Sequence, residues 1–418
     1  MDTLAFHRAT AAEIERLYAS SEHTPEGWRE TAAWHWEQAG AYHEATEATL
    51  KVAELRLSEL SYNEARRWIE RALCLLDMLD VTERRLYEMR VYALTISVLE
   101  FGGQYREALG YARLLTRIAE QQGNIEAQIR SYLAIGRVQR ELGLLTLAEN
   151  EMLRALSVAE RYQHIELESE ARMHLAKVHQ LQGRHLEAFQ QLELAQSLPS
   201  DEGRVARITT GIGDVYRVLG ASQEALQFYH RALKIEIGTS NRLGQAMLYE
   251  KLGLSHLEAD RHGEALQCLE EALRLRTDLN DTVGRARSHT ILGTIQGRIG
   301  RHDLAMYHFE QARDYEALVQ NRRGQTIALT NLGDAAHQIG DTARAHEAYA
   351  EALALARAGD DRIALARVLQ RLGDLRANEG RQDLANEHWK EALTIRESLG
   401  HSEEAIALRG RISTGRVK

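Results

Sequence analysis

The chain has 418 residues, 44% hydrophobic and 27% charged, with 52 Lys and Arg against 61 Asp and Glu for a formal net charge of −9. This balance excludes general disorder, and the acidic excess argues against the broad basic surface that duplex nucleic acid requires. Only 2 prolines, Pro25 and Pro199, interrupt the chain, so long helices are permitted throughout.

No apolar run approaches the roughly 20 residues of a spanning helix. Met1 to Ser20 carries Asp2, Arg8, Glu13 and Arg16 where a secretory signal has its apolar centre. A cytoplasmic protein without membrane contact is expected. In the N-terminal stretch, Ala45 and Ala65 resemble packing positions but lie too close together for two separate helix pairs. Residues 42–60 therefore read as one helix shared by two pairs. Trp28, Trp34, Trp36 and Trp68 cluster here and suit a capped hydrophobic end. Cys74 and Cys268 each fall in an apolar helical stripe and read as buried, reduced thiols.

From residue 85 onward the chain repeats. Gly213, Gly253, Gly293, Gly333 and Gly373 recur at a constant interval, each after Ile or Leu. Each is followed by two alanines at fixed offsets, Ala225 and Ala232 in the first case and Ala385 and Ala392 in the last. Small residues let two helices approach at a crossing, and a large one fills the space beside them; Tyr229, Leu269, Phe309, Tyr349 and Trp389 are the expected fillers. Gly220, Gly300, Gly340 and Gly380 end the first helix of each pair in the left-handed conformation, with Asp260 the exception. Ala108, Ala148, Ala188 and Gly103, Gly143, Gly183 extend the pattern upstream, with one shortened repeat containing Pro199. Asn241, Asp281, Asn321 and Asp360 or Asp361 stand where N-caps belong.

These residues resemble the tetratricopeptide repeat in at least eight units, with a period longer than the usual one. The resemblance implies an all-α, right-handed superhelical α-solenoid of about ten helix pairs. The expected divisions are 1–84, an atypical N-terminal junction; 85–400, the repeat array; and 401–418, a capping helix and tail. The N-terminal stretch, with Phe6 to Tyr18, a helix ending at Glu37 to Gly40 and the shared helix after it, resembles the junction that follows the ATPase part of STAND-class signalling regulators. That resemblance implies an upstream ATPase against which the tryptophans would dock. No GxxxxGK[ST] loop occurs in this chain.

The closest histidine groupings in sequence, His174 with His179, His302 with His308 and His35 near His43, lack metal-site spacing. Gly211-Ile-Gly213 lacks the third glycine and preceding strand of a dinucleotide loop, and Glu270 and Glu271 are adjacent rather than convergent. No catalytic, metal or cofactor site is expected, and the chain reads as a non-enzyme.

In the resembling family, ligands are held on the concave face by first-helix positions around the packing glycine. Those positions, with Asn331 beside them, give Arg130, Arg137, Arg140, Lys177, Arg207, Thr210, Asp214, Arg217, Arg287, Thr290, Thr294, Asn331, Asp334, Arg367 and Asp374. Arginine's planar fork suits carboxylates and phosphates, which points to a protein or peptide partner with an acidic segment, or to an anionic effector. The alternative is that Asp214, Asp334 and Asp374 pair with arginines of adjacent repeats. Asn331 is the clearest of the scattered chaperone-clamp elements, and chaperone-tail recognition is not expected. The function implied is a sensor module regulating an attached STAND ATPase; the alternative is a free-standing scaffold.

Overall fold

The computed structural model describes residues 2–19, 25, 27–359, 361–399 and 402–415; Met1, Ser20 and Asp360 of the readings above lie outside these. Among the described residues there are twenty-one α-helices and no strand. The first seven are α1 (Thr3–Tyr18), α2 (Trp28–Gln38), α3 (Tyr42–Ser58), α4 (Tyr62–Leu76), α5 (Val81–Phe101), α6 (Tyr105–Gln122) and α7 (Ile125–Glu141). Next come α8 (Leu145–Arg161), α9 (Ile165–Leu181), α10 (His185–Ser197), α11 (Glu202–Val218), α12 (Ser222–Gly238), α13 (Arg242–Glu258) and α14 (His262–Asp278). The last are α15 (Thr282–Arg298), α16 (His302–Leu318), α17 (Arg322–Gln338), α18 (Thr342–Ala358), α19 (Arg362–Asn378), α20 (Gln382–Ser398) and α21 (Ser402–Thr414). They form an all-α solenoid in which consecutive helices pack in pairs, α1 with α2 and α3 with α4 in one part and α9 with α10 through α19 with α20 in the other, with α21 on α20. No described helix is long and apolar enough to cross a membrane.

The chain divides into two compact units, residues 1–101 with 107–134, and residues 102–106 with 135–418. In the first, α3 packs against both α2 and α4, so one helix does serve two pairs. Trp36 is buried among Ala11, Ala33, Ala45 and Leu75, with Trp68 against this cluster. Trp34 instead remains 44% exposed, its ring edge-on to His7 and His35. Cys74 is also exposed, contrary to expectation. On α4 the buried stripe runs through Ala65, Ile69, Ala72 and Leu75, and Cys74 falls beside it. Cys268 is half-buried and free, and burial pushes its thiol up to about 11.

In the second unit each first helix from α11 to α19 starts at a side-chain cap, whereas α9 has none. Asn241, Asp281, Asn321 and Asp361 accept from the backbone N–H three residues on, at 3.1, 2.8, 3.1 and 2.9 Å. Each such helix ends at a residue of positive φ, glycine at 220, 300, 340 and 380 and Asp260 with φ +56°. The connection holding Pro199 shortens α10 to 13 residues where its sister helices have 17.

The packing glycines meet the expected fillers. A Cβ added to Gly213, Gly293, Gly333 or Gly373 would overlap the ring of Tyr229, Phe309, Tyr349 or Trp389, and one on Gly253 would overlap Leu269. Upstream, Gly136 meets Met152 in the same way. The apolar core is thus a relay, as in the cluster running from Ala305 and Phe309 through Leu332 and Tyr349 to Val368 and Leu372. At its end, Leu408 of α21 covers Trp389, Ala392 and Leu369.

Helix propensity and packing make opposite demands on these glycines. An alanine at Gly333 gains about 1 kcal/mol of propensity, but its Cβ would stand 2.5 Å from Cε1 of the buried Tyr349 ring. Overpacking of this kind costs about 1–3 kcal/mol, so Gly333→Ala should lower the denaturation midpoint. Gly110 lies inside α6, and a Cβ added there would have nothing within 4 Å; Gly110→Ala should raise the midpoint, by roughly 0.5–1 kcal/mol. Equal and positive effects at both positions would show that the tight contact is absent.

Candidate binding cleft

First helices of consecutive repeats line a cleft of about 360 Å³ in the second unit. Its apolar wall is formed by Met173 and Ala176 of α9, Leu192 of α10, and Leu243, Met247 and Leu248 of α13. Its polar lining comprises Lys177 and Gln180 of α9, Arg207, Thr210 and Asp214 of α11, Glu236 of α12, and Asn241 and Lys251 of α13. The volume lies within the usual range of small-ligand pockets.

Asp214 is held from two sides. It accepts from Tyr229 Oη at 2.7 Å, within its own repeat, and from Lys251 Nζ at 2.7 and 2.9 Å, on the following one. Burial alone would raise its pKa, but Lys251 and Lys177 together hold it below the ordinary carboxylate value. Lys177 is open to the cleft, and displacement of water by the surrounding walls lowers its pKa, partly offset by Asp214. Among the described residues, no acceptor lies within bonding distance of Lys177 or Arg207, and both side chains are exposed. The neighbouring cations are committed, Arg217 to Glu258 at 2.6 Å and Arg140 to Glu141 at 2.9 Å.

The cleft therefore unites four of the expected residues, Lys177, Arg207, Thr210 and Asp214. The others lie elsewhere. Arg130 belongs to the first unit and pairs with Glu126. Arg137 is half-buried on α7. Arg287 is exposed on α15, where Thr290 and Thr294 give their hydroxyl protons to carbonyls of their own helix. Arg367 donates to Asn331 Oδ1 at 2.9 Å, one repeat back. Asp334 lies 3.1 Å from Arg371, and the buried Asp374 lies 3.3 Å from Arg411. The arginine-pairing alternative thus holds for Asp334 and Asp374, whereas Asp214 pairs with Lys251 instead. The histidine groupings also differ from those expected. His289 Nδ1 lies 3.0 Å from His308 Nδ1, and burial followed by the His308 charge pushes His289 down to about 4.

One rule behind these aspartates is not among the expectations drawn from the repeat. Tyr229 Oη, Tyr349 Oη and Trp389 Nε1 donate to Asp214, Asp334 and Asp374 at 2.7, 2.6 and 3.0 Å. Where the filler has no donor, the residue after the glycine has no carboxylate: Leu254 accompanies Leu269, and Thr294 accompanies Phe309. A buried donor needs an acceptor, and the repeat supplies one only when needed. Phe309→Tyr should therefore destabilise by roughly 1–2 kcal/mol through an unsatisfied hydroxyl, and adding Thr294→Asp should recover most of it. A double-mutant cycle in urea measures the coupling, and additive losses would refute the pairing rule.

A second buried position recurs at the end of each second helix. Glu236, Arg276 and Glu316 are almost fully buried, and each fills space left by a glycine at the third position of the next helix, Gly244, Gly284 or Gly324. Asn241 donates to Glu236 at 2.7 Å, and Arg276 donates to Asp281 at 2.5 Å. Glu316 has one carboxyl oxygen without a partner among the described residues. Burial pushes its pKa up to about 7, against a hydrogen bond from Asn321 and the charge of Arg287. Between the ordinary value of 4.5 and about 7 the folded chain keeps a proton that the unfolded chain has lost, so stability falls as pH rises through that window. Glu316→Gln should abolish this fall and melt higher at pH 8, by up to roughly 3 kcal/mol. Parallel plots of melting temperature against pH would show instead that Glu316 ionises normally.

The tetratricopeptide-repeat family matches residues 204–278 and 244–315, and a second tetratricopeptide-repeat pattern matches 327–358. Residues 204–315 and 327–358 are tetratricopeptide repeats. Such repeats are protein-binding modules. The fold is similar to a signal transduction ATPase with numerous domains (STAND) protein with a tetratricopeptide repeat sensor, from Pyrococcus horikoshii, at 14% identity and TM-score 0.52. That similarity covers 96% of this chain and 73% of the other. It is also similar to a Rap protein solved with competence and sporulation factor, at 14% identity and TM-score 0.50, over 89% of this chain and 98% of that one. No curated protein matches the sequence.

Proposed function

We propose that this tetratricopeptide array is a sensor module that binds a polypeptide or anionic effector in the cleft between α9, α11 and α13, and that it regulates an attached STAND ATPase. The observation carrying the binding site is the pair of uncommitted cations, Lys177 and Arg207, beside the apolar wall of a cleft where Asp214 is already neutralised. An anion placed there would gain charge-assisted hydrogen bonds without breaking an existing pair. The regulatory reading is supported by the junction-like sequence of residues 6–60 and by the fold shared with a protein that has such a sensor. The second reading, a free-standing scaffold, shares the cleft and differs in having no ATPase.

Peptides selected from a random display library against the intact chain should bind wild type more tightly than the Lys177→Gln, Arg207→Gln double variant. Loss of two charge-assisted hydrogen bonds weakens affinity about tenfold or more, with helicity by circular dichroism unchanged. Equal affinity in titration calorimetry would exclude the cleft. Translating the genomic sequence upstream of the Met1 codon tests the attachment: an in-frame P-loop ATPase is expected, and a stop codon close before Met1 would leave the scaffold reading.

A further inference from the structure

Repeats in a solenoid ordinarily touch only their neighbours, and Arg323 makes an exception within the second unit. It stands near the start of α17, and its Nη1 donates to Tyr105 Oη at 2.9 Å and to Glu141 Oε2 at 2.7 Å. Its Nε lies 2.8 Å from Asp361 Oδ2, and the guanidinium sits 5.4 Å from the centre of the Tyr105 ring. Tyr105 and Glu141 precede Arg323 by 218 and 182 residues. Backbone approach supports the same contact. Gly103, with φ +69°, leaves so little room that an added Cβ would stand 3.3 Å from Asn321 Oδ1 and 3.4 Å from Arg323 Cβ.

The residue type is as unusual as the contact. In register with Arg323 the sister repeats hold Leu243, Val283 and Ile363, the aliphatic side chains that local packing calls for. An arginine here departs from the repeat at a place where a distant repeat comes near. Tyr105 and Asp361 are each 7% exposed, so water competes weakly for the guanidinium. Burial pushes the Glu141 carboxyl up, but Arg140 and Arg323 outweigh it and keep the group below its ordinary value. Burial raises the Tyr105 phenol, which stays neutral and accepts from Arg323.

Arg323 and Glu141 border a cavity of about 1070 Å³ that also touches Arg140, Lys177, Gln180 and Arg396. Lys177 and Gln180 of α9 line the candidate cleft as well, so the two spaces share a wall and the contact stands across the neighbouring one. We propose that Arg323 is a clasp that holds the second unit closed on itself, and that its release widens the cleft. Two hydrogen bonds from a single side chain, to Tyr105 and Glu141, bridge the distant repeats, and the bond to Asp361 ties that side chain to the next repeat, whereas neighbouring pairs are joined by whole helix faces. Opening therefore breaks the clasp and leaves the repeats intact, the pattern of a bistable interface. This inference stands on the geometry of the clasp and is independent of what the cleft binds.

The test uses the full chain in a Cys74→Ser, Cys268→Ser background, with spin labels at Thr146→Cys and Thr342→Cys, both exposed positions of the second unit. Double electron–electron resonance should give one narrow distance distribution for this parent. Arg323→Met, and separately Glu141→Gln, should move it to longer distances and broaden it, with helicity unchanged. About 1 M NaCl should shift the parent the same way by screening the pairs. Superimposable distributions for the parent and a folded clasp variant would overturn the proposal, as would a parent distribution already as broad as the variants'. Should Arg323→Met not fold, Glu141→Gln and the salt titration decide the matter on the same criterion.

Discussion

The contact on which this architecture rests is a helix backbone pressed against the side chain of its partner helix. At Gly213, Gly293, Gly333 and Gly373 an aromatic ring occupies the volume of the missing Cβ. Close approach of this kind sets the crossing of the two helices and hence the placement of the next pair. Because the constraint recurs at every repeat, small deviations would accumulate along the array. The fillers are accordingly buried, Tyr229 and Trp389 completely.

Polar groups enter the same packing as dependents of the ring. A tyrosine or tryptophan filler brings a donor into the interior, and an aspartate one residue after the glycine accepts from it. That aspartate then needs a cation, which the following repeat or α21 supplies through Lys251, Arg371 or Arg411. A choice made within one repeat thereby propagates as a requirement on its successor. The candidate cleft is a place where this chain of requirements is met with cations to spare, since Lys177 and Arg207 remain after Asp214 is paired.

Most of the repeat geometry was legible because it is periodic: the glycines, fillers, caps and turns each recur, and one reading served all copies. The cleft was legible in part. Register places Lys177, Arg207, Thr210 and Asp214 together along the cleft, but register cannot tell a committed arginine from an open one, and Arg217 is held by Glu258. The coupling between filler and aspartate is present in the sequence at Leu254 and Thr294, where both partners change together, and shows only when the two positions are taken as a pair. Cys74 was misplaced for a different reason: an apolar neighbourhood in sequence does not fix which side of a helix faces inward. Arg323 carries its own signal as the one charged residue among Leu243, Val283 and Ile363, but its partners belong to repeats that no local pattern connects.

The clasp also changes how the second unit must assemble. A plain stack of helix pairs forms from neighbour contacts, can begin anywhere and frays from either end. Joining Arg323 to Glu141 closes a loop of 182 residues, and the entropy of that closure is recovered only after the intervening pairs have stiffened the chain. During synthesis Glu141 leaves the ribosome long before Arg323 and Asp361 do, so the early repeats fold without their final partner. The last contact to form is therefore a distant one, and it turns a one-dimensional series of local equilibria into a body whose remote repeats share a common fate.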